Sequence, residues 1–218
     1  MRSLPVVRPA STTGGLSAFE VRRIAEQAGC RVLETRAVNE RGESYAVLEL
    51  DCEDNEHAIR FLNLAARHDA WHPKVRSLAL SLRKTLRAEL GREPTTAELA
   101  ALVEQYVQRH VSFVREKDEV FQHALYTLNA GAGDCDDHAR LVAALLFASG
   151  LEAKIEGVKN SSGALSHVAP LVRDRGAWRW VETTIRKEQH GGDARYGEPP
   201  LDAAKRLGIG AARHDVAG

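Results

Sequence analysis

The sequence has no excess of charge of either sign and no long apolar run. Its 218 residues include 30 lysines and arginines and 30 aspartates and glutamates, so the charges cancel. A chain without a basic surplus offers no electrostatic footprint for nucleic acid or an anionic membrane, and we predict neither as a partner. The longest apolar run, LVAALLFA, is far shorter than the roughly 20 residues that span a bilayer. The first residues also lack the apolar core of a signal peptide.

Cysteine is scarce as well. The three cysteines, Cys30, Cys52 and Cys135, are too few for a disulfide framework, and their number is odd. No C-x-x-C pair is present, which argues against a zinc knuckle. A reducing compartment is the simpler interpretation. We therefore predict a soluble, cytoplasmic protein without a metal or other cofactor.

The patterns that are present change from helical to extended along the chain. A segment with helical spacing and a hairpin about the turn signal NERGES come first. Pro73 and the Thr95–Glu98 capping box then predict the starts of two further helices. Three strand candidates follow, separated by the turn signals NSSG and DRGA. Helices followed by an antiparallel sheet predict an α+β fold, with residues 1–54 as an N-terminal arm and 187–218 as a C-terminal tail.

The stretch GAGDCDDHARLVAALLFASG places a thiol where a glycine-rich loop becomes an apolar helix. Asp134 is a good N-cap, which puts Cys135 at the first helical position. The positive end of the helix dipole favours a thiolate there, by about 0.3–1 kcal/mol. Asp136 and Asp137 oppose it, because two unit charges about 4 Å apart interact by about 4 kcal/mol at an effective dielectric of about 20. A reactive thiolate here therefore needs a cationic partner, for which histidine is the natural choice. The alternative is that Cys135 is a small buried hydrophobe.

The run ALSHVAPLVRDRGAWRWVETT is predicted to supply that partner. With a tight turn at Asp174 and Arg175, His167 lies directly opposite Glu182 on the next strand. Directly opposed side chains share a sheet face, with Cβ atoms about 4.5–5.5 Å apart. The carboxylate could then orient the imidazole and stabilise its charged form. The alternative is a cross-strand ion pair without a catalytic role.

These segments together resemble the transglutaminase-like superfamily, which shares its core with papain-like cysteine proteases. GDCDDHARLVAALLFASGLEAKI resembles the cysteine helix of that family, and SHVAPLVRDRGAWRWVETT resembles its histidine strand and acid strand. The helix and loop VEQYVQRHVSFVREKDEVFQHALYTLNAG resemble the segment that leads in. The likeness covers roughly residues 55–186 and implies a transglutaminase-like core there, of a bacterial or phage type.

The resemblance implies a catalytic triad in which Cys135 is the nucleophile, His167 the general base and Glu182 the orienting acid. The family usually has aspartate in the third position, so Glu182 is a departure. The backbone N–H of Cys135 or the side chain of Gln122 is the candidate oxyanion donor. The implied reaction forms a thioester from a peptide or protein substrate and passes the acyl group to water or to an amine. We favour water, hence a cysteine protease or amidase.

Two other interpretations remain open from the sequence. The first is a mixed-ligand metal site made from the set Asp134, Cys135, Asp137, His138 and His167, although such a hard and soft mixture is poorly selective. The second is a non-catalytic or weakly active protein of the same fold that serves as a structural part of a phage virion or tail assembly. Its partners would then be other subunits of the particle.

Overall fold

A computed structural model describes residues 6–8, 17–40, 43–115 and 120–184. The predicted C-terminal tail, residues 187–218, lies outside these ranges, as does most of the start of the chain. Within them no helix is both long enough and apolar enough to cross a membrane.

Six helices lie in the described ranges: α1 (Ala18–Ala28), α2 (Asn55–Asp69), α3 (Pro73–Leu90), α4 (Thr96–His110), α5 (Ala124–Ala130) and α6 (Cys135–Ala148). The predicted start signals are confirmed. Pro73 occupies the first turn of α3, and Thr95 and Glu98 form a reciprocal capping box at the start of α4.

Nine strands lie in the same ranges: β1 (Val6–Arg8), β2 (Cys30–Glu40), β3 (Glu43–Cys52), β4 (Ser112–Phe113), β5 (Val120–Gln122), β6 (Ala132–Gly133), β7 (Ala153–Lys159), β8 (Leu165–Asp174) and β9 (Ala177–Trp180). They form a sheet in the order β2-β3-β1-β5, a two-stranded sheet β4-β6 and an antiparallel sheet β7-β8-β9. The hairpin β2-β3 and the mixed α+β class agree with the sequence-based prediction.

The predicted register of the β8-β9 hairpin is wrong by two residues. The turn consists of Arg175 and Gly176, both with positive φ, as a two-residue turn that matches the twist of the strands requires. Leu171 therefore pairs with Trp180, and β9 ends there. A shift by two keeps every side chain on its predicted face, whereas a shift by one would have reversed it.

The sequence analysis predicted no disulfide, but the structure contains one. Cys30 and Cys52 face each other at the open ends of β2 and β3 and form a disulfide across 22 residues of sequence. Cys135 is the free cysteine. Because the cytoplasmic prediction rested on unpaired thiols, this bond removes its main support.

Helix α6 is the centre of the fold. Two clusters of buried side chains meet on it, one formed mainly with α3 and α4, the other with α1, α2 and the start of the β2-β3 hairpin. All residues from Asp136 to Leu146 are buried, which explains why the second half of the helix, from Leu141 onward, is apolar on every face. The helix also packs against β8. A helix buried on all sides holds its first residue in a fixed position relative to the sheet.

Candidate active site

Cys135 lies at the first turn of α6, as predicted. The Asp134 carboxylate accepts a hydrogen bond from the Asp136 amide at 3.3 Å, and Asp137 accepts one from the Asp134 amide at 3.3 Å. This reciprocal capping box satisfies backbone donors that the helix cannot satisfy itself. The side chain of Cys135 is partly exposed, so it is not the sealed hydrophobe of the alternative interpretation.

Asp137 anchors the loop before the cysteine. Its carboxylate is fully buried and also accepts a hydrogen bond from the Gln122 amide at 2.7 Å. A Cβ atom at position 133 would lie only 2.7 Å from the Cβ of Asp137, so the residue there has to be glycine. Two backbone N–H groups thus bond the Asp137 carboxylate, which favours its ionised form.

His167 projects from β8 and connects the other two predicted residues. Its Nε2 lies 2.8 Å from Oε2 of Glu182. Burial lowers the pKa of the imidazole, but hydrogen bonds to Cys135 and Glu182 outweigh it and raise the pKa to about 9. Because Nε2 faces the carboxylate, Nδ1 is the nitrogen that remains for the sulfur. The histidine is therefore charged at neutral pH, as a thiolate partner must be.

Glu182 is nearly buried and is held on both of its oxygens. Oε2 bonds His167, while Oε1 accepts hydrogen bonds from the Thr184 amide at 2.7 Å and the Thr184 hydroxyl at 2.6 Å. Burial raises the pKa of this carboxyl, but the bonds from His167 and Thr184 outweigh it and lower the pKa to about 2. Between about pH 2 and about pH 9 the acid is therefore ionised while the histidine carries its proton.

The sulfur and the imidazole open into one cleft of about 1340 Å³. Apolar side chains, among them Ile59, Leu62 and Phe121, form part of its lining. Its charged lining consists of one lysine, Lys159, the histidine itself, and the carboxylates of Asp51, Glu53, Asp54, Glu56, Asp136 and Glu156. Arg31 and Lys154 pair with Asp51 and Glu156, so the wall keeps a smaller negative excess. His57 bonds Asp54. The cleft has room for an extended peptide segment beside the thiol.

The family follows from a match that contains all three residues. Residues 84–192, half of the chain, match the model of the transglutaminase-like superfamily. The chain belongs to the transglutaminase-like superfamily. Members of this superfamily are usually cysteine proteases or transglutaminases.

Several solved structures are similar to this superfamily member. A transglutaminase is 17% identical, with 84% of this chain and 52% of that chain covered and a TM-score of 0.40. A Cytophaga hutchinsonii protein described as a proposed cysteine protease is 15% identical over 72% of this chain and 66% of its own, with a TM-score of 0.38. The periplasmic domain of TgpA from Pseudomonas aeruginosa is 18% identical over 82% and 69%, with a TM-score of 0.34. The chain thus spans about half the length of that transglutaminase. No match was found among curated proteins.

The position of Gln122 leaves its predicted role as oxyanion donor untested. The residue is buried at the end of β5, where its amide bonds Asp137 and its Oε1 lies 3.4 Å from the Thr127 hydroxyl. It is not among the residues that line the cleft. The backbone N–H of Cys135, at the start of α6, is the other candidate that the sequence analysis considered.

The metal ligand set considered from the sequence is not assembled in this superfamily member. In the part of the chain that the structure describes, the cluster of potential ligands within 4.8 Å consists of Asp134, Cys135 and Asp136. It contains neither of the histidines proposed as ligands. His138 bonds Thr183, His167 bonds Glu182, and Asp137 accepts backbone N–H groups.

A buried ion cluster that the sequence analysis missed fixes the helix behind the thiol. Arg140, about one and a half turns beyond Cys135, donates to Asp69 of α2 at 2.7 and 3.1 Å. His123 accepts from the Leu125 amide at Nδ1, so its Nε2–H is the proton donor to Asp69, at 2.9 Å. Burial raises the pKa of Asp69, but these partners hold it well below its usual range. The cluster joins α2, α5 and α6, and no local pattern signals it because its members are distant in sequence.

Proposed function

We propose that this protein is a cysteine hydrolase that cleaves a peptide or related amide bond through a thioester on Cys135. The observation that carries the proposal is that a partly exposed thiol and the His167 imidazole line one cleft, while the imidazole bonds the Glu182 carboxylate at 2.8 Å. A cysteine and a histidine without an orienting carboxylate would support the proposal less well. The carboxylate matters because it fixes the tautomer of the imidazole that transfers the proton.

The proposed first half-reaction uses the thiolate and the charged imidazole together. The sulfur of Cys135 attacks the carbonyl carbon, and the carbonyl oxygen becomes an oxyanion near the start of α6. The proton on Nδ1 of His167 passes to the leaving nitrogen as the C–N bond breaks. The products are a free amine and an acyl thioester on Cys135, with a neutral imidazole beside it.

The second half-reaction returns the enzyme to its starting state. Neutral His167 takes a proton from water as the water oxygen attacks the thioester carbon, and the C–S bond breaks to give a carboxylic acid and the thiolate. We propose water as the acceptor because the imidazole side chain is 19% exposed and opens into a wide cleft. Glu182 stabilises the imidazolium in both steps, without itself being protonated.

The test is acylation of the full chain by p-nitrophenyl acetate, a neutral donor that the negative cleft wall does not repel. Intact mass should show one acetyl group on wild-type protein, lost on treatment with hydroxylamine as a thioester requires. Cys135→Ser keeps the shape of the side chain and should not accumulate that thioester. Adding a primary amine such as cadaverine then separates the two acceptors, because transfer would release the amide and hydrolysis would release acetate. Absence of both an adduct on wild-type Cys135 and acetate release that depends on Cys135 would contradict the proposal.

A further inference from the structure

Glu182, the acid of the proposed triad, lies just beyond the last hydrogen bonds of the sheet. The β8-β9 ladder ends at Trp180. The last backbone hydrogen bond between the two segments runs from the Val181 amide to the Pro170 carbonyl at 2.9 Å. Glu182, the next residue, is therefore the first of a segment, residues 182–184, that has left the strand. A carboxylate on a segment without ladder hydrogen bonds keeps a fixed position only if other groups restrain its backbone.

Helix α4 supplies one such group. The side-chain amide of Gln108 donates from Nε2 to the backbone carbonyl of Glu182 at 2.8 Å. Gln108 is partly buried and lies 74 residues from its acceptor in sequence. This bond replaces the ladder bond that Glu182 lacks and restricts the Cα from which the carboxylate projects.

Helix α6 supplies the second group, from the same face as the thiol. His138 follows Cys135 by three residues, close to one helical turn, so both side chains lie on the same side of α6. Its Nδ1 lies 3.1 Å from the Thr183 hydroxyl, and both side chains are buried. Burial lowers the pKa of His138, so its ring is neutral at physiological pH and can bond the hydroxyl without adding charge. The ring edge also packs against Phe113.

We infer that Gln108 and His138 are positioning residues, which hold the 182–184 segment against the cysteine helix so that Glu182 keeps its bond to His167. Neither residue touches the reacting atoms. The His138 bond is the more informative of the two, because it connects the acid segment directly to the helix that carries the nucleophile. The inference rests on the proposed function, since positioning has a meaning only if the three residues act together.

The test uses substitutions that remove one hydrogen bond and keep the shape. Thr183→Val deletes the hydroxyl that bonds His138, and Thr183→Ser restores it. Gln108→Met deletes the amide that bonds Glu182, and Gln105→Met, one turn earlier on α4, is the matched control. The readouts are the iodoacetamide alkylation rate of Cys135 at pH 7 without reductant, and the His167 titration midpoint by NMR.

Thr183→Val and Gln108→Met should each slow alkylation by about tenfold or more, since a misplacement of about 1 Å can cost 100-fold. The His167 midpoint should fall in both, and Thr183→Ser and Gln105→Met should behave as wild type. Folded variants with unchanged alkylation and an unchanged midpoint would overturn the inference, as would a Thr183→Ser variant no better than Thr183→Val. If wild-type Cys135 itself reacts no faster than glutathione, the proposed function fails instead.

Discussion

Replacing Glu182 with glutamine isolates the charge of the proposed acid from its shape. The amide oxygen of the introduced glutamine would still accept the two bonds from Thr184 that Oε1 of Glu182 accepts now. The group facing Nε2 of His167, 2.8 Å away, would lose its negative charge. We therefore expect the segment to stay in place while the imidazolium loses the negative charge next to its Nε2.

The structure sets the size of both effects. With the His167 pKa at about 9, the stabilisation of the imidazolium at pH 8 is at most about 1.4 kcal/mol, because the ring can release its proton instead. That corresponds to a fall in Tm of about 3–6 °C for a domain of this size. Catalysis should suffer far more. The proton transfers through His167, which Glu182 supports, contribute about 10²–10⁴-fold, or about 2.7–5.4 kcal/mol of transition-state stabilisation, and this is the upper limit of the loss.

The assay is the steady-state hydrolysis of p-nitrophenyl acetate, with the His167 midpoint measured by NMR on the same samples. Glu182→Gln should lower both the turnover and the midpoint, and Glu182→Asp, which keeps the charge on a shorter arm, should lie between it and wild type. Glu152→Gln removes a carboxylate that pairs with Arg173 away from the cleft and should match wild type. Turnover and midpoint both unchanged in Glu182→Gln would refute the reasoning and remove Glu182 from the site.

Three further predictions concern stability. Because the His167 pKa is raised, the stability that its bonds contribute should be complete below the ordinary histidine pKa of 6.5 and should be lost as the pH rises through about 9. Urea unfolding across that pH range should show a fall in the free energy of unfolding. Glu182→Gln should make that fall smaller. Reducing the Cys30–Cys52 disulfide, which closes a loop across 22 residues, should cost about 3 kcal/mol in the same assay, and no cost would mean that the hairpin is closed without it. Arg140→Met leaves the buried Asp69 carboxylate with one partner fewer and should cost about 3–5 kcal/mol; a loss below about 1 kcal/mol, as is common for exposed pairs, would contradict a structural role for this cluster.

The features that could be predicted from the sequence depend on residues close together along the chain. A cap followed by an apolar helix fixes Asp134 and Cys135, and the Thr95–Glu98 box fixes the start of α4 in the same way. Such signals act within one helical turn, so no tertiary contact has to be known to interpret them.

What could not be predicted depends on contacts between distant residues. The bonds from Gln108 to Glu182, from His138 to Thr183 and from Arg140 to Asp69 span 74, 45 and 71 residues. The Cys30–Cys52 pairing depends on a β-bulge between Val32 and Glu34, because the register of the Glu40–Glu43 end, continued without the bulge, would place Cys30 opposite residue 53. The turn signal alone therefore could not indicate the disulfide. The odd number of cysteines also gave no indication of the disulfide, because Cys135 at the start of α6 remains free.

The register error and the glutamate are physically connected. If the register of the ladder is continued past its last backbone bond at Val181, Glu182 falls opposite Ala169, with His167 as a diagonal neighbour and not the direct one. Diagonal Cα atoms are about 7–8 Å apart, whereas directly opposed Cβ atoms are about 4.5–5.5 Å apart. Glutamate has one more carbon–carbon bond than aspartate, about 1.5 Å, and in this chain it reaches Nε2 at 2.8 Å. The longer side chain thus compensates for the diagonal position, which gives a physical reason why the family's usual aspartate would bond His167 less well at position 182 of this chain.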